Sequence, residues 1–290
     1  MAELYKPIRI QWNLTDSCNF SCEYCPDILK SGNTPLPDPE IFCTAFFSLY
    51  NQFDKFELNF LGGEPTTYIG LDRILEKIEK KSDNKKIILE TNGSKDLAWW
   101  VTYGSKVNCV IFSYHANSLN LEKMLDILAV LKNYHLELII KLPTTEKTWD
   151  ETLKTKELLS EKNYNTTIQL LYKNYTKGNN KYYDYTEEQL NFYYKNKNIV
   201  EEKIPEQIEH IRVHKLNDYY GHLCWAGIDQ FVIDRYGDVY RGWCSQGGKI
   251  GNIYSNPIIF PQDPILCQKS LCTNGFDLEA RKSKNSWGRL

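Results

Sequence analysis

The sequence predicts an α/β fold: a partial (β/α)6 barrel of parallel strands, followed by a small C-terminal extension built on a β-hairpin and cysteine-bearing loops. Three observations predict it. Short apolar runs alternate with longer amphipathic stretches through the first two-thirds of the chain, the pattern of right-handed βαβ units around a parallel sheet. Six such units suit a curved, open barrel rather than a closed one. From about Leu216 the rhythm gives way to short Gly-, Pro- and Cys-bearing segments, so the expected units are residues 1–215 and 216–290.

The elements follow in order. Ile8–Leu14, Lys55–Leu61, Lys86–Thr91, Val107–Tyr114, His135–Leu142 and Thr166–Tyr172 are rich in Ile, Val, Phe and Leu and read as strands. The stretches between them read as helices: Pro39–Phe53 with Asp38 as N-cap, Leu71–Lys81, Asp96–Tyr103, Leu121–Tyr134 and Trp149–Lys162. Residues 173–200 are crowded with Tyr, Lys and Asn, and one helix is expected there after a Thr186 cap. Gln230–Asp234 and Asp238–Gly242, joined through Tyr236-Gly237, read as a β-hairpin. The functional end of such a sheet lies where the strands hand over to the loops that follow them.

Composition narrows the function classes. With 290 residues, 42% hydrophobic and 25% charged, the chain can bury a sizeable core as a globular protein. No apolar run is long enough to span a membrane, and Met1 to Pro7 has no apolar signal core. A cytoplasmic setting without a membrane partner is expected. The net charge of −2 gives no whole-surface basic footprint for nucleic acid.

The nine cysteines are not scattered. Cys18, Cys22 and Cys25 form Cys-x3-Cys-x2-Cys in the loop directly after the first strand. Three thiolates at this spacing can hold three irons of a cubane cluster and leave the fourth iron open, as a catalytic site requires. A zinc knuckle would need a fourth protein ligand, and the nearest histidine in sequence is His115. Cys224, Cys244, Cys267 and Cys272 gather near the C-terminus. Cys43 falls in the first helix among Phe42, Phe46 and Phe47, and Cys109 in the fourth strand reads as core.

Two motifs together carry a family resemblance. The triplet follows strand one with the aromatic Tyr24 before its last cysteine, and strand two ends in Leu61-Gly62-Gly63-Glu64-Pro65. From residue 8 to about 172 the order and spacing resemble the radical S-adenosylmethionine (radical SAM) superfamily, whose members carry a GGEP motif at this place. The resemblance implies a [4Fe-4S] cluster on Cys18, Cys22 and Cys25 with SAM chelating the open iron. It implies that Gly62 and Gly63, lacking Cβ, admit the methionine amino group, that Glu64 accepts a charge-assisted hydrogen bond from it, and that Pro65 fixes the turn. Tyr24 is similar to the family's aromatic beside the adenine. Thr91 and Asn92, in Glu90-Thr91-Asn92-Gly93, close strand three as a "TNG" does in many relatives. Ser113 and His115 share a strand face with Cys109 and Ile111, and stand where the family contacts the SAM ribose or carboxylate. Lys141, ending strand five, is placed to hold a carboxylate; both His115 and Lys141 are equally explained as strand-end polar residues.

The tail has its own resemblance. A cysteine before a hairpin, one just after it, Gly251-Asn252-Ile253, and a final pair are similar to the twitch domain, a shortened SPASM extension with one auxiliary [4Fe-4S] cluster. The final pair is Cys-x4-Cys where relatives commonly have Cys-x2-Cys. A tetrathiolate zinc site has the same ligand count. The resemblance implies an enzyme that generates a 5′-deoxyadenosyl radical and abstracts hydrogen, with oxidation or rearrangement of a small polar metabolite expected first. Gln11, Asn13, Glu57, Asn59 and Gln169 are candidates to line its cavity. Modification of a ribosomally made peptide is the alternative, and a non-catalytic electron-transfer protein a third. A reductant such as flavodoxin or ferredoxin is the implied partner.

Overall fold

Alternation along the first strand sets the architecture. In β1 (Ile8–Asn13), Ile10 and Trp12 are fully buried, while Arg9 and Gln11 point to the opposite face. This computed structural model describes residues 6–79, 81–116, 118–171, 183–197, 217–255, 257–269, 272 and 274–284. The same period of two runs through β2 (Phe56–Leu61), β3 (Lys85–Thr91), β4 (Cys109–Ser113), β5 (Glu137–Thr144) and β6 (Thr166–Leu170). One face carries Phe56, Leu58, Phe60, Leu89, Val110, Phe112, Ile140 and Leu142, all essentially inaccessible to solvent. Against it pack α1 (Pro39–Gln52), α2 (Ile69–Lys77), α3 (Leu97–Tyr103) and α4 (Leu121–Lys132), forming one continuous core. The other, inner face carries polar side chains such as Gln11, Asn59, Glu90 and Lys141 together with Ile88, Ile111 and Ile139.

The strands β1 to β6 are parallel and lie in sequence order, the partial barrel that the βα alternation predicts. Helix starts follow their caps. Asp38 accepts the N–H groups of Glu40 and Ile41 ahead of Pro39. Thr186 and Gln189 exchange hydrogen bonds as a capping box at the head of α6 (Glu187–Lys197). The fourth strand begins later than expected because Asn108 turns its side chain back to accept from the N–H of Ile87. The expected end of strand six at Tyr172 lies outside the described residues.

The tail does something that local patterning does not reveal. Between β7 (His222–Cys224) and β9 (Asp238–Tyr240), strand β8 (Gln230–Ile233) pairs in parallel with β1, and β9 and β10 (Lys249–Asn252) continue the sheet in antiparallel fashion. Among the described residues the sheet therefore has nine strands, in the order β10-β9-β8-β1-β2-β3-β4-β5-β6. Phe231 and Ile233 enter the main core, with Phe231 against Phe53 and Phe260. A second small sheet has β7 between β11 (Ile265–Leu266) and β12 (Lys282–Lys284), with the short helix α7 (Gly275–Glu279) just before β12.

Phe231→Ala tests this placement. Truncating a fully buried aromatic in a shared core lowers unfolding free energy by about 3–5 kcal/mol in anaerobic urea titrations. A loss below about 1 kcal/mol would mean that the hairpin is not packed into the barrel core.

Candidate active site at the strand ends

The loop after β1 is fixed first by backbone. Leu14 N–H donates to Leu61 O (2.8 Å), Gly63 N–H to Thr15 O (2.7 Å), and Glu64 N–H to Ser17 O (2.8 Å). This lays the start of the cysteine loop along Gly62-Gly63-Glu64. A Cβ on Gly62, whose φ is +149°, would stand 2.5 Å from Thr15 O; one on Gly63 would stand 2.2 Å from Ser17 O. The close approach that these glycines permit here is therefore to the cysteine loop.

Glu64 is wholly buried. Its Oε1 accepts from Thr66 N–H (3.1 Å), the Thr66 hydroxyl (2.7 Å) and the Thr91 hydroxyl (2.8 Å); its Oε2 accepts from Asn92 N–H (2.6 Å). Burial pushes its pKa up, and these four donors oppose that shift. The sequence suggests the methionine ammonium as its partner; in the structure its donors are the ends of β2 and β3. Pro65 opens a 3-10 turn capped by Glu64, as a turn-fixing residue should.

Asn92 carries the connection to the cysteines. Its Nδ2 lies 3.0 Å from Asn19 Oδ1 and 3.7 Å from Cys18 Sγ, while Phe20 N–H lies 3.4 Å from the same sulfur. Two N–H groups thus face Cys18, the arrangement that favours a thiolate. Burial pushes Cys18 up and Cys25 up to about 11, with neighbouring cysteines adding to both. Cys22 lies close enough to Cys18 and Cys25 to oppose the ionisation of both, and a bound cation would favour their thiolates. Cys22 Sγ is 3.7 Å from His115 Nδ1. His115 is also hydrogen-bonded to the Tyr24 hydroxyl, stacked on the Tyr24 ring at 5.9 Å, and edge-on to Phe20. Burial pulls its pKa down to about 4, so the ring is neutral at pH 7. Tyr24, Cys22 and His115 therefore form one group, and Cys18, Asn92 and Glu64 another, both built on the cysteine loop and the ends of neighbouring strands.

On the inner face, Lys141 donates to Glu90 Oε1 at 2.7 Å rather than standing as a solvated strand end. Ser113 is level with Lys141 in the β4–β5 register. Cys109 is buried as expected, yet alternation turns it to the inner face, and burial beside Glu137 pushes its thiol up to about 12. Cys43 is buried in α1. Asn13 Oδ1 and Asn59 Oδ1 are buried on the inner face without a donor among the described residues.

The four tail cysteines are brought together. Cys224 pairs with Ile265 and Lys282 across the small sheet; Cys267 N–H bonds His222 O, and Cys272 N–H bonds Asn217 O. Burial pushes Cys244 up to about 11 and Cys272 up to about 12; Cys224 adds to both shifts and Cys267 adds to that of Cys224. Lys282 favours the thiolates of Cys224 and Cys272, its ammonium held by the carbonyls of Asp277, Leu278 and Ala280. Sequence reasoning missed Asp277, which accepts from Trp243 N–H (2.9 Å) and Cys244 N–H (2.7 Å), and Trp243, whose indole N–H donates to Gln11 Oε1 (2.6 Å). Only the Gly-Trp-Cys run marks that loop in the sequence. Among the described residues no three His, Cys, Asp or Glu side chains converge on a single-ion site.

Glu64→Gln tests the buried junction. Either orientation of the amide sets its NH2 against a backbone N–H, of Thr66 or of Asn92, so stability falls by roughly 1–3 kcal/mol even in cluster-free protein. Denaturant unfolding measures it; an unchanged stability contradicts the assigned hydrogen bonds.

Comparison with known proteins agrees with this geometry. Residues 12–185 match the radical SAM superfamily. A 98-residue stretch is 32% identical to the GTP 3′,8-cyclase of Staphylococcus epidermidis, covering 31% of this chain and 29% of that protein. The GTP 3′,8-cyclase of Pasteurella multocida is 30% identical over 117 residues, 37% of this chain and 34% of that protein. The chain thus matches about a third of the length of these curated relatives. The fold is similar to native anSMEcpe with bound AdoMet, with a TM-score of 0.54 and 20% identity over 86% of this chain and 78% of that one. It is also similar to Streptococcus suis SuiB bound to precursor peptide SuiA, with a TM-score of 0.58 and 15% identity over 87% and 63%. With the family match extending over more than half of its residues, and the triplet and GGEP loops joined at one strand-end junction, the chain belongs to the radical SAM superfamily, whose members work with a [4Fe-4S] cluster and SAM.

Proposed function

We propose that this chain is a SAM-cleaving enzyme that abstracts a hydrogen atom from a small polar substrate held on the inner face of the barrel. The observation that carries the reading is the junction of Cys18, Asn92 and Glu64, which fixes a three-thiol loop at the ends of the parallel strands. Cys18, Cys22 and Cys25 would hold the [4Fe-4S] cluster. When bound, the cluster and SAM supply an electron and a 5′-deoxyadenosyl radical. The chain's residues do the rest. Tyr24 and the neutral His115 offer an aromatic wall beside the loop. Gly62, Gly63, Glu64, Pro65 and Thr91 hold the loop in place, and Ser113 stands further along the rim. Gln11, Asn59, Glu90 and Lys141 give the cavity donors and acceptors for hydroxyl, amino or carboxylate groups, and Asn13 and Asn59 each bring a buried carbonyl oxygen in want of a donor.

We assign Cys224, Cys244, Cys267 and Cys272 to an auxiliary [4Fe-4S] cluster of a twitch-type unit from residue 216 on, suited to take the electron left on the substrate and make the reaction oxidative. The rival is a zinc ion that only staples the tail. A flavodoxin or ferredoxin is the proposed reductant. No helix among the described residues is long and apolar enough to cross a membrane; a cytoplasmic setting remains part of the proposal. A second substrate reading, modification of a peptide, is favoured by the likeness in fold to SuiB bound to its precursor peptide.

Anaerobically reconstituted protein given SAM and dithionite should release 5′-deoxyadenosine, and joint replacement of Cys18, Cys22 and Cys25 by Ala should abolish it. Full release by the triple variant removes the assignment. Metal analysis should find about eight irons per chain; about four irons with stoichiometric zinc refutes the second cluster. Incubation with polar metabolites against short peptides, read by product mass, separates the two substrate classes.

A further inference from the structure

The cysteine loop is closed by a charge that its own segment does not balance. Asp16, two residues before Cys18, is 1% exposed. Its carboxylate accepts from the hydroxyls of Ser31 and Thr34 and from Thr34 N–H (3.2 Å), and its carbonyl accepts Gly32 N–H (3.0 Å). Residues 16 and 31–34, the two ends of the stretch that carries all three cysteines, are thereby tied together. The cation facing this buried carboxylate comes from a segment more than 200 residues away: Arg235 Nη1 stands 3.9 Å from Asp16 Oδ2, its side chain 17% exposed.

The fold explains why that arginine arrives there. Strand β8 runs in parallel beside β1 with Ile233 opposite Trp12, so the turn that follows β8 emerges level with the start of the cysteine loop. The turn is rigid: Asp234 Oδ1 accepts the N–H groups of Tyr236 (2.9 Å) and Asp238 (3.0 Å), and Gly237 takes a φ of +80°. The Arg235 guanidinium rests over the Tyr236 ring, 5.2 Å from its centroid. A solvent-exposed ion pair contributes little, but removing the partner of a buried charge leaves that charge uncompensated.

We infer that Arg235 is a positioning residue for the cysteine loop: through Asp16, the C-terminal hairpin completes the loop geometry in which SAM binds. The inference rests on the SAM chemistry proposed above. It makes docking of the hairpin a condition for SAM binding at the other end of the sequence.

The test uses the full chain, reconstituted anaerobically, with SAM and dithionite. Arg235→Gln should raise the KM for SAM by about fivefold, which is about 1 kcal/mol, with a smaller change in kcat. Iron content should stay that of the unaltered chain, amide hydrogen exchange across residues 15–34 should quicken, and Arg235→Lys should restore most of both readouts. Asp16→Asn removes the charge that Arg235 serves, so the double variant should be no worse than Asp16→Asn alone. An unchanged KM and exchange rate in folded, iron-loaded Arg235→Gln overturns the inference, and so do additive effects in the double variant. Should Arg235→Gln fail to fold, Asp16→Asn/Arg235→Gln carries the test; it must fold and match Asp16→Asn, and its failure to do so overturns the inference. If the unaltered chain does not cleave SAM, the proposed function fails instead, and the exchange readout, which needs no SAM, still judges Arg235.

Discussion

The carboxylate of Glu64 is fully enclosed, and its partners among the described residues are neutral donors: Thr66 and Thr91 hydroxyls and the N–H groups of Thr66 and Asn92. Burying such a group is costly unless each of its lone pairs is used, so the ends of β2 and β3 can be arranged in few ways around it. The cysteine loop depends on that arrangement twice. Glu64 N–H holds Ser17 O, and Asn92, fixed by Oε2, reaches Cys18 and Asn19. Cys18 is therefore positioned by hydrogen bonds from the strand ends. A catalytic constellation needs such support from neighbouring residues to hold its geometry.

The tail reaches the same barrel from the inside. Trp243 bonds Gln11, Gln230 bonds Phe276 O (2.8 Å), and Arg9 pairs with Glu279 while stacking on Phe276. These contacts place α7 and the Gly242–Cys244 loop against the polar face of β1. Asp277 then orders that loop by taking two successive backbone N–H groups. The residue next to Cys244 thus bonds Gln11, one of the side chains that we propose to face the substrate.

Much of this was legible in the sequence because it is local. The period-two alternation around Trp12, Leu58 and Val110 gives the strands, Asp38-Pro39 gives a helix start, and two short motifs on consecutive strands point to the cofactor chemistry. What could not be read is long-range. Nothing near Gln230 says that β8 will lie in parallel beside β1, and nothing near Lys141 says that Glu90 will meet it. The glycines show the difference well. Their lack of a side chain is plain from the sequence, yet only the fold reveals that the atoms approaching them belong to Thr15 and Ser17. Asp16 and Arg235 are ordinary charged residues until the topology sets them side by side.

We propose that the Cys18, Cys22 and Cys25 loop leaves one iron of its cluster for SAM. Electron paramagnetic resonance of the dithionite-reduced, reconstituted chain, recorded with and without SAM, tests it most directly. The account predicts that SAM alters the signal of one cluster, and that the alteration persists when Cys267 and Cys272 are replaced but is lost with Cys18, Cys22 and Cys25. A reduced-cluster spectrum that is the same with saturating SAM as without it would contradict the account.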